Sequence, residues 1–338
     1  MGVRGLRLHV QTRGVAQDER HAVHTVARTP CTCEPVNPTM PRPRSFPVFQ
    51  AASARRRLDA ALDYLRQIPA HQPVTIVGAS RGAADDLVRL LAIERGATFG
   101  LARYSLTQLA ARAAAIRLGG RGIAPSTSLG TEAVAARAAF DAAGAGELAY
   151  FGRVSHTPGF SRALAQTLAD LRVAGVAPIS LTLAGEAGQD LGLLLDKAGE
   201  EFVQASSADR ALLFAAAADS VRALTELCVP LLLLDVPLHA PAEEQFVRAL
   251  VDVATAVAAT VPAFDDRSVV RLRAAGGVIT AIDGPATTSL DQLRGCLFSD
   301  QTPPAREDDG TVRFSSAPGE GREAVEVDRK STRLNSSH

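Results

Sequence analysis

The sequence contains little or none of several residue types on which many activities depend. Among its 338 residues there is no tryptophan, and lysine occurs only at Lys197 and Lys330. A nuclease site built on an aspartate and a Glu-x-Lys triplet is therefore not found, because neither lysine completes such a triplet. No run of about 18 apolar residues occurs, so no membrane span is expected. No signal peptide is visible either, and we expect a cytoplasmic protein.

Cysteine is also scarce, with Cys31, Cys33, Cys228 and Cys296 as its only occurrences. A metal site would need closer spacing, so buried free thiols are the better interpretation of the last two. The formal net charge is zero, because 36 lysines and arginines balance 36 acids. The chain as a whole is therefore not an obvious binder of polyanions.

Both ends of the chain differ from the rest in composition. Asparagine occurs only at Asn37 and Asn335, and the only methionine besides the first residue is Met40. We therefore expect that residues 1–39 are a non-native leader. Residues 328–338, DRKSTRLNSSH, resemble a translated sequencing adapter. Such segments are left out of the interpretation of the fold.

One short stretch, PVTIVGASRGAADDLVRL at 73–90, organises the remaining sequence. Its pattern predicts a buried strand, a tight turn bracketed by Gly78 and Gly82, and a helix capped by Ser80. Strand–turn–helix units of this kind form nucleotide sites in α/β folds. For Ser80, Arg81 and Gly82, a plain turn and helix cap is the better explanation than nucleotide binding, so the nucleotide interpretation needs further support.

Apolar patterning assigns further elements and divides the chain into segments. We expect strands at 98–104, 229–235 and 255–261, and a strand, a turn and a helix start within 311–327. We expect helices near 50–68, 105–118, 130–143, 160–174, 188–205, 208–227, 241–254, 266–275 and 288–297. Because 119–227 is almost wholly helical, we expect an insertion between two parts of one parallel sheet. The expected segments are 40–118, 119–227, 228–300 and 301–327.

The glycine turn is similar to turns found in two classes of enzyme. GASRG is similar to the dinucleotide turn of short-chain dehydrogenases, but none of Tyr64, Tyr104 and Tyr150 has the family's lysine four residues later. A P-loop ATPase needs a lysine and a hydroxyl after its last glycine, and both are missing here. Asp85 would also repel a phosphate. An active P-loop ATPase with an unusual loop remains the alternative.

A strand ending in an acid, VPLLLLD at 229–235, lies about 150 residues after the glycine turn. Its final residue, Asp235, stands where a P-loop enzyme presents its magnesium-binding acid, although such an acid can simply end a buried strand. Val236 follows it, where an active helicase usually carries a glutamate base. The order of loop, helical insertion and acid-ending strand is more specific than any single match.

Five blocks carry a family resemblance over most of the chain. They are VGASRGAADDLVR (77–89), GLARYSLTQLAAR (100–112), TPGFSRALAQTLADLRVAGV (157–176), LLLLDVPL (231–238) and FSSAPGEGREAVEV (314–327). The chain resembles the B subunit of AddAB-type ATP-dependent helicase/nucleases, including proteins labelled as PD-(D/E)XK nuclease family. The resemblance implies an α/β, P-loop NTPase-like (superfamily-1 helicase-like) parallel sheet with a large helical insertion. It also implies that the amino-terminal motor is degenerate.

The same resemblance implies partners, cofactors and sites. The partners would be single-stranded DNA and an active A-type helicase/nuclease subunit. No cofactor is expected here, because the nuclease and its iron–sulfur cluster belong to a carboxyl end beyond this sequence. No catalytic residue is expected, and the parent protein would be an exodeoxyribonuclease subunit. A vestigial nucleotide loop would comprise Gly78, Ser80, Arg81 and Gly82, with Asp235 as a vestigial metal ligand. A motif opening a second motor domain would comprise Gly319, Glu320, Arg322 and Glu323.

Overall fold

The computed structural model describes residues 45–335 apart from positions 158, 298–299, 301, 308 and 315, with side chains described up to residue 329. The expected leader at 1–39 lies outside the described residues. The strands are β1 (Phe46–Ala51), β2 (Val74–Gly78), β3 (Leu101–Ser105), β4 (Ala124–Pro125), β5 (Ser207–Ala208), β6 (Leu231–Leu234), β7 (Val257–Pro262) and β8 (Gly277–Ala281). The helices are α1 (Ala54–Gln67), α2 (Arg81–Arg95), α3 (Leu106–Gly119), α4 (Ser128–Gly144), α5 (Phe160–Val173), α6 (Gly185–Gln204), α7 (Arg210–Ser220), α8 (Pro241–Val253), α9 (Asp266–Ala274), α10 (Ser289–Cys296) and α11 (Glu320–Asn335).

Six of these strands form one sheet in the order β3-β2-β6-β7-β1-β8, and every neighbouring pair runs parallel. The expected α/β class with a parallel sheet is therefore confirmed. Val77 of β2 lies opposite Leu233 of β6, so the strands on either side of the helical block are neighbours in one sheet, as the sequence predicted. The segment boundaries at 118, 227 and 300 stay predictions.

Helices cover both faces of the sheet because the buried strands are apolar on both sides. Val74 and Ile76 of β2 pack with α1 and α2 in one apolar cluster. Val77, the residue after Ile76, points to the opposite face and belongs to a second cluster with α3, α7, α8 and α9. Phe214 of α7 and Phe246 of α8 anchor that second layer, with ring centroids 5.9 Å apart. The result is a three-layer arrangement with the sheet in the middle.

The segment between α3 and β6 is almost wholly helical, as expected. Helices α4, α5 and α6 share a core of their own, which contains Ala138, Leu164 and Leu194. The strand content is limited to β4 and β5, which pair over two residues each and were not predicted. None of the described helices is by itself long and apolar enough to cross a membrane. One pair of helical segments, α5 and Pro178–Gln204, is long and apolar enough when the two are taken together, but the pair is bent by 118°.

Several elements differ from the sequence predictions. The strand β1 was missed, and residues 50–51 were assigned to a helix that in fact begins at Ala54, after the Ser53 cap. The edge strand β8 was also missed. The expected strand after residue 311 is wrong, because the described residues from 311 to 319 form bends and irregular backbone before α11. Helix α7 ends at Ser220 rather than near 227, and two short 3-10 turns follow it.

Candidate functional site

The loops at the carboxyl end of the sheet are the place to look for a site. In open parallel sheets, ligands bind outside the carboxyl ends of strands where neighbouring connections leave toward opposite faces. This occurs between β2 and β6, because α2 and α8 lie in different layers. It occurs again between β7 and β1, because α9 and α1 also lie in different layers. Two such switch points therefore lie on either side of the neighbouring strands β6 and β7.

The β2–α2 turn contains the residues expected to form a vestigial nucleotide loop. Ser80 caps α2, since its hydroxyl accepts a hydrogen bond from the Ala83 amide at 3.1 Å. A Cβ on Gly78 would lie 2.7 Å from the Ser80 carbonyl oxygen, so only glycine allows this close approach of strand and helix. A Cβ on Gly82 would meet only the Ser80 hydroxyl, at 3.7 Å.

The charged residues of the same turn pair with each other. The Nε of Arg81 lies 3.3 Å from a carboxylate oxygen of Asp85, one helical turn later. An Nη atom of Arg103, on β3, lies 3.4 Å from the same oxygen. The acid that was expected to repel a phosphate is therefore balanced by two arginines. The turn therefore serves as the start of α2, with Ser80 as its cap and Gly78 allowing close packing of strand and helix.

Asp235 follows β6 in a left-handed backbone conformation, with φ of +50°. This conformation is uncommon for residues other than glycine, although aspartate tolerates it better than most. Thr260 of β7 holds it there, because the Asp235 amide donates to the Thr260 carbonyl at 3.2 Å and to its hydroxyl at 3.0 Å. The Thr260 hydroxyl in turn donates to Asp235 Oδ1 at 2.7 Å.

Arg57, in the first turn of α1, binds the Asp235 carboxylate. Its Nε lies 2.9 Å from Oδ1 and 3.0 Å from Oδ2 of Asp235. Its Nη1 donates to the carbonyl oxygens of Ala51 at 2.6 Å and Ala52 at 3.2 Å. The Arg57 side chain is only 9% exposed, and that of Asp235 is 24% exposed. The pair therefore joins the β1–α1 turn to the end of β6.

Sequence reasoning named Asp235 and missed Arg57. One signal for Arg57 was present, because Arg57, Ala61 and Leu65 recur every four residues and are all buried on one side of α1. An arginine on the apolar stripe of an amphipathic helix needs a buried partner. The pattern does not identify that partner, which lies 178 residues away along the chain.

A second set of contacts, from the segment after β8, lies at the start of α1. The Ala52 amide donates to Asp283 Oδ2 at 2.6 Å, and the Ser53 amide to Oδ1 at 3.5 Å. Arg56 Nη1 donates to the Ile282 carbonyl oxygen at 3.0 Å and holds the segment after β8 against the helix start. Free amides at a helix start are where anions such as phosphate bind. Here the protein's own Asp283 carboxylate takes the two amides that immediately precede the helix.

The residues around Asp235 do not fit a resident magnesium ion. Magnesium binds free carboxylate oxygens in an octahedral arrangement and avoids a neighbouring cation. Both Asp235 oxygens already accept from Arg57, and among the described residues the Thr260 hydroxyl is the only other side-chain oxygen that contacts the carboxylate. Within the part of the chain that the structure describes, no group of three or more His, Cys, Asp or Glu side chains could hold a metal.

The motif expected to open a second motor domain lies at the start of α11. Gly319 has φ of +108°, a conformation that favours glycine, and its carbonyl oxygen accepts from the Arg322 and Glu323 amides at 3.1 Å each. Glu320, Arg322 and Glu323 are exposed. Among the described residues, no recorded hydrogen bond or ion pair joins the motif to Asp235 or to the β2–α2 turn. The structure does not bring the two expected groups together.

No protein-family model matches this chain, and no curated protein matches it. The fold and the site define it as an α/β protein with a parallel six-stranded sheet flanked by helices. The carboxyl edge of that sheet is closed by an internal Arg57–Asp235 ion pair and by the Asp283 carboxylate at the start of α1.

Proposed function

We propose that this chain is a catalytically silent, helicase-like domain of a double-strand-break repair helicase/nuclease subunit. Its role would be to hold single-stranded DNA beside an active motor partner. The observation that supports silence is the Arg57–Asp235 pair, because it occupies the carboxylate on which a magnesium–nucleotide complex would depend. The DNA role and the partner rest on the sequence blocks that resemble AddAB-type B subunits.

ATP hydrolysis needs groups that are missing from this edge of the sheet. Phosphoryl transfer depends on a cation at the β- and γ-phosphates, on magnesium and on a group that orients the attacking water. Asp235 is neutralised by Arg57, and Val236 after it is buried and carries no carboxylate. The Ala52 and Ser53 amides already bind Asp283. The rival proposal of an active P-loop ATPase has no comparable support.

A second observation favours contact with nucleic acid. The guanidinium of Arg112 lies over the Tyr104 ring, 5.9 Å from its centroid, at the carboxyl end of the edge strand β3. Arg112 is exposed and has no ion-pair partner among the described residues. Arginine contacts phosphates, and unpaired bases stack on aromatic rings with cation–π contributions from arginine. Arg112 is therefore the first residue to test for DNA binding.

The first experiment measures ATP turnover by the full chain, with and without single-stranded DNA. The expected result is no turnover above that of Asp235→Asn, which removes the acid and tolerates the left-handed backbone at this position. DNA-stimulated turnover that Asp235→Asn abolishes would support the rival, active ATPase. Turnover that is unchanged in Asp235→Asn would point to a contaminating enzyme.

The second experiment measures binding of a labelled single-stranded oligonucleotide by fluorescence anisotropy, in the complex with the A-type subunit. We expect binding that weakens as salt rises, because phosphate contacts release counterions. Arg112→Ala should weaken binding by about fivefold to tenfold, the range for losing one stacked or phosphate contact. The control is Arg137→Ala, because Arg137 is exposed but paired with Asp141 at 2.8 Å. Equal binding by wild type and Arg112→Ala would contradict the assigned contact.

A further inference from the structure

We infer that Arg57 is a built-in counter-cation that takes the place of a divalent metal at Asp235, and that its removal would uncover a divalent-cation site. The inference rests on the proposed function, because it names the residue that prevents metal binding and hence catalysis at this site. It rests on the oxygen atoms that surround the Arg57 guanidinium.

These oxygens form a set that suits a hard cation. The Arg57 guanidinium donates to both carboxylate oxygens of Asp235 and to the carbonyl oxygens of Ala51 and Ala52. Carboxylate and main-chain carbonyl oxygens are the ligands that Mg²⁺, Mn²⁺ and Ca²⁺ take in proteins. They belong to two separate elements, the β1–α1 turn and the end of β6. The Arg57 guanidinium bridges the two elements.

The backbone conformation at Asp235 indicates that surrounding contacts fix the position of the carboxylate. A non-glycine residue at φ of +50° is strained, and such strain persists only where surrounding bonds impose it. Here Thr260 imposes it through three hydrogen bonds, two from the Asp235 amide and one to its carboxylate. Thr260 thus binds the Asp235 amide and Oδ1 through contacts that do not involve Arg57. Removing Arg57 would leave the carboxylate in position and without a cation.

The test measures Mn²⁺ binding to the full chain by loss of the free-ion electron paramagnetic resonance signal. Wild type is expected to bind no more Mn²⁺ than Asp235→Asn. Arg57→Leu should bind one Mn²⁺ at least about tenfold more tightly than wild type, which corresponds to 1.4 kcal/mol. The double variant Arg57→Leu/Asp235→Asn should lose this gain. Arg57→Lys should show no gain, because a positive charge remains beside the carboxylate.

A second neutral variant guards against a folding defect. Arg57→Gln removes the charge but keeps a polar side chain, whose amide ends near the position of the Arg57 Nε atom, and it should show the same gain in Mn²⁺ binding. If either neutral variant is unfolded without metal, Mn²⁺ should restore its folding, because a ligand that binds only the native state stabilises it. If neither variant gains Mn²⁺ binding or Mn²⁺-dependent folding, the inference is overturned.

The outcomes also separate this inference from the proposed function. Mn²⁺ bound by wild type and lost in Asp235→Asn would overturn the counter-cation role, even if the protein turns over no ATP. ATP turnover by wild type would contradict the silent-domain proposal, and the Mn²⁺ comparison would still decide the role of Arg57.

Discussion

The Nε atom of Arg57 lies 2.9 Å and 3.0 Å from the two carboxylate oxygens of Asp235, across the carboxyl edge of the sheet. Arg57 comes from the helix after β1, and Asp235 comes from the end of β6, with β7 between those two strands. A largely buried ion pair adds little net stability while it is complete, but removal of one partner leaves an uncompensated charge. Substitution of either member of the pair is therefore expected to lower stability more than other substitutions at this edge of the sheet.

We predict that Arg57→Leu lowers the free energy of unfolding by about 2–3 kcal/mol. The full cost of breaking a buried pair is roughly 3–5 kcal/mol, and it is reduced here because Asp235 keeps some solvent contact. Adding Asp235→Asn should recover part of the loss, because the unpaired charge is removed. The control is Arg55→Leu in the same helix turn, where the side chain is 78% exposed and a change within about 0.5 kcal/mol is expected. Urea denaturation measures all three, and equal losses for Arg57→Leu and Arg55→Leu would contradict the prediction.

The glycines of the β2–α2 turn should respond in opposite directions to alanine. In Gly78→Ala, the new Cβ would lie 2.7 Å from the Ser80 carbonyl oxygen, and we expect a loss of about 1–3 kcal/mol from overpacking. In Gly82→Ala, the new Cβ meets no atom closer than 3.7 Å, inside the first turn of α2. Alanine is a better helix former than glycine, so a gain of about 0.5–1 kcal/mol is expected. Thermal unfolding of both variants tests this, and a destabilised Gly82→Ala would indicate a role beyond the helix start.

Asp190 should be among the most important acids of the helical block. It is 3% exposed, and its carboxylate accepts hydrogen bonds from the Ala149, Tyr150 and Phe151 amides at 2.9 to 3.1 Å. Asp190→Ala leaves these donors without a partner, and we expect a loss of about 2–4 kcal/mol. Asp196→Ala is the matched control, because Asp196 is exposed on the same helix. Guanidinium denaturation that finds the two variants equally stable would show that the three amides have another acceptor.

Tyr64 should ionise late in an alkaline titration. Burial raises the pKa of Tyr64 to about 12 from its ordinary value of 10.0, and its hydroxyl has no hydrogen-bond partner among the described residues. Above pH 10 the unfolded chain ionises this group while the folded chain does not. The folded state therefore loses stability as the pH rises toward 12, and not below 10.

The tyrosinate absorbance of the folded protein measures this titration directly, because the chain has no tryptophan to overlap with it. Tyr64→Phe should remove the component that titrates near pH 12, whereas Tyr150→Phe, at a residue 59% exposed, should keep it. Tyr64→Phe should not reduce stability at neutral pH, since a buried hydroxyl without a partner contributes nothing favourable. A late component that survives in Tyr64→Phe would contradict this assignment.

The elements predicted correctly are those that carry their own local signal. Ser105 caps α3 with a complete capping box, and Ser80 caps α2, whose buried Leu87, Val88 and Leu91 recur at helical spacing. The run Leu231–Leu234 is apolar on both faces, as a central parallel strand must be. These signals come from neighbours within one or two turns of the chain, so they can be read without the fold.

The elements that were missed depend on partners far away in sequence. The strand β1 pairs with β7 and β8, whose residues lie more than 200 positions later, and its last residues look like the start of a helix. The strand β8 is an edge strand with exposed Val278, so it lacks the apolar alternation that identifies a half-buried strand. Pairing in the sheet, and not local propensity, determines both elements.

The sequence by itself determined the α/β class, the helical block and the identity of Asp235 as an acid at the end of a buried strand. Only the tertiary structure decided that β1 lies beside β7, and hence that Arg57 rather than Arg81 reaches that acid. The reason is that strand order is set by the burial of apolar faces across the whole sheet. The residue pattern within one segment does not predict which distant side chain will contact the end of its strand.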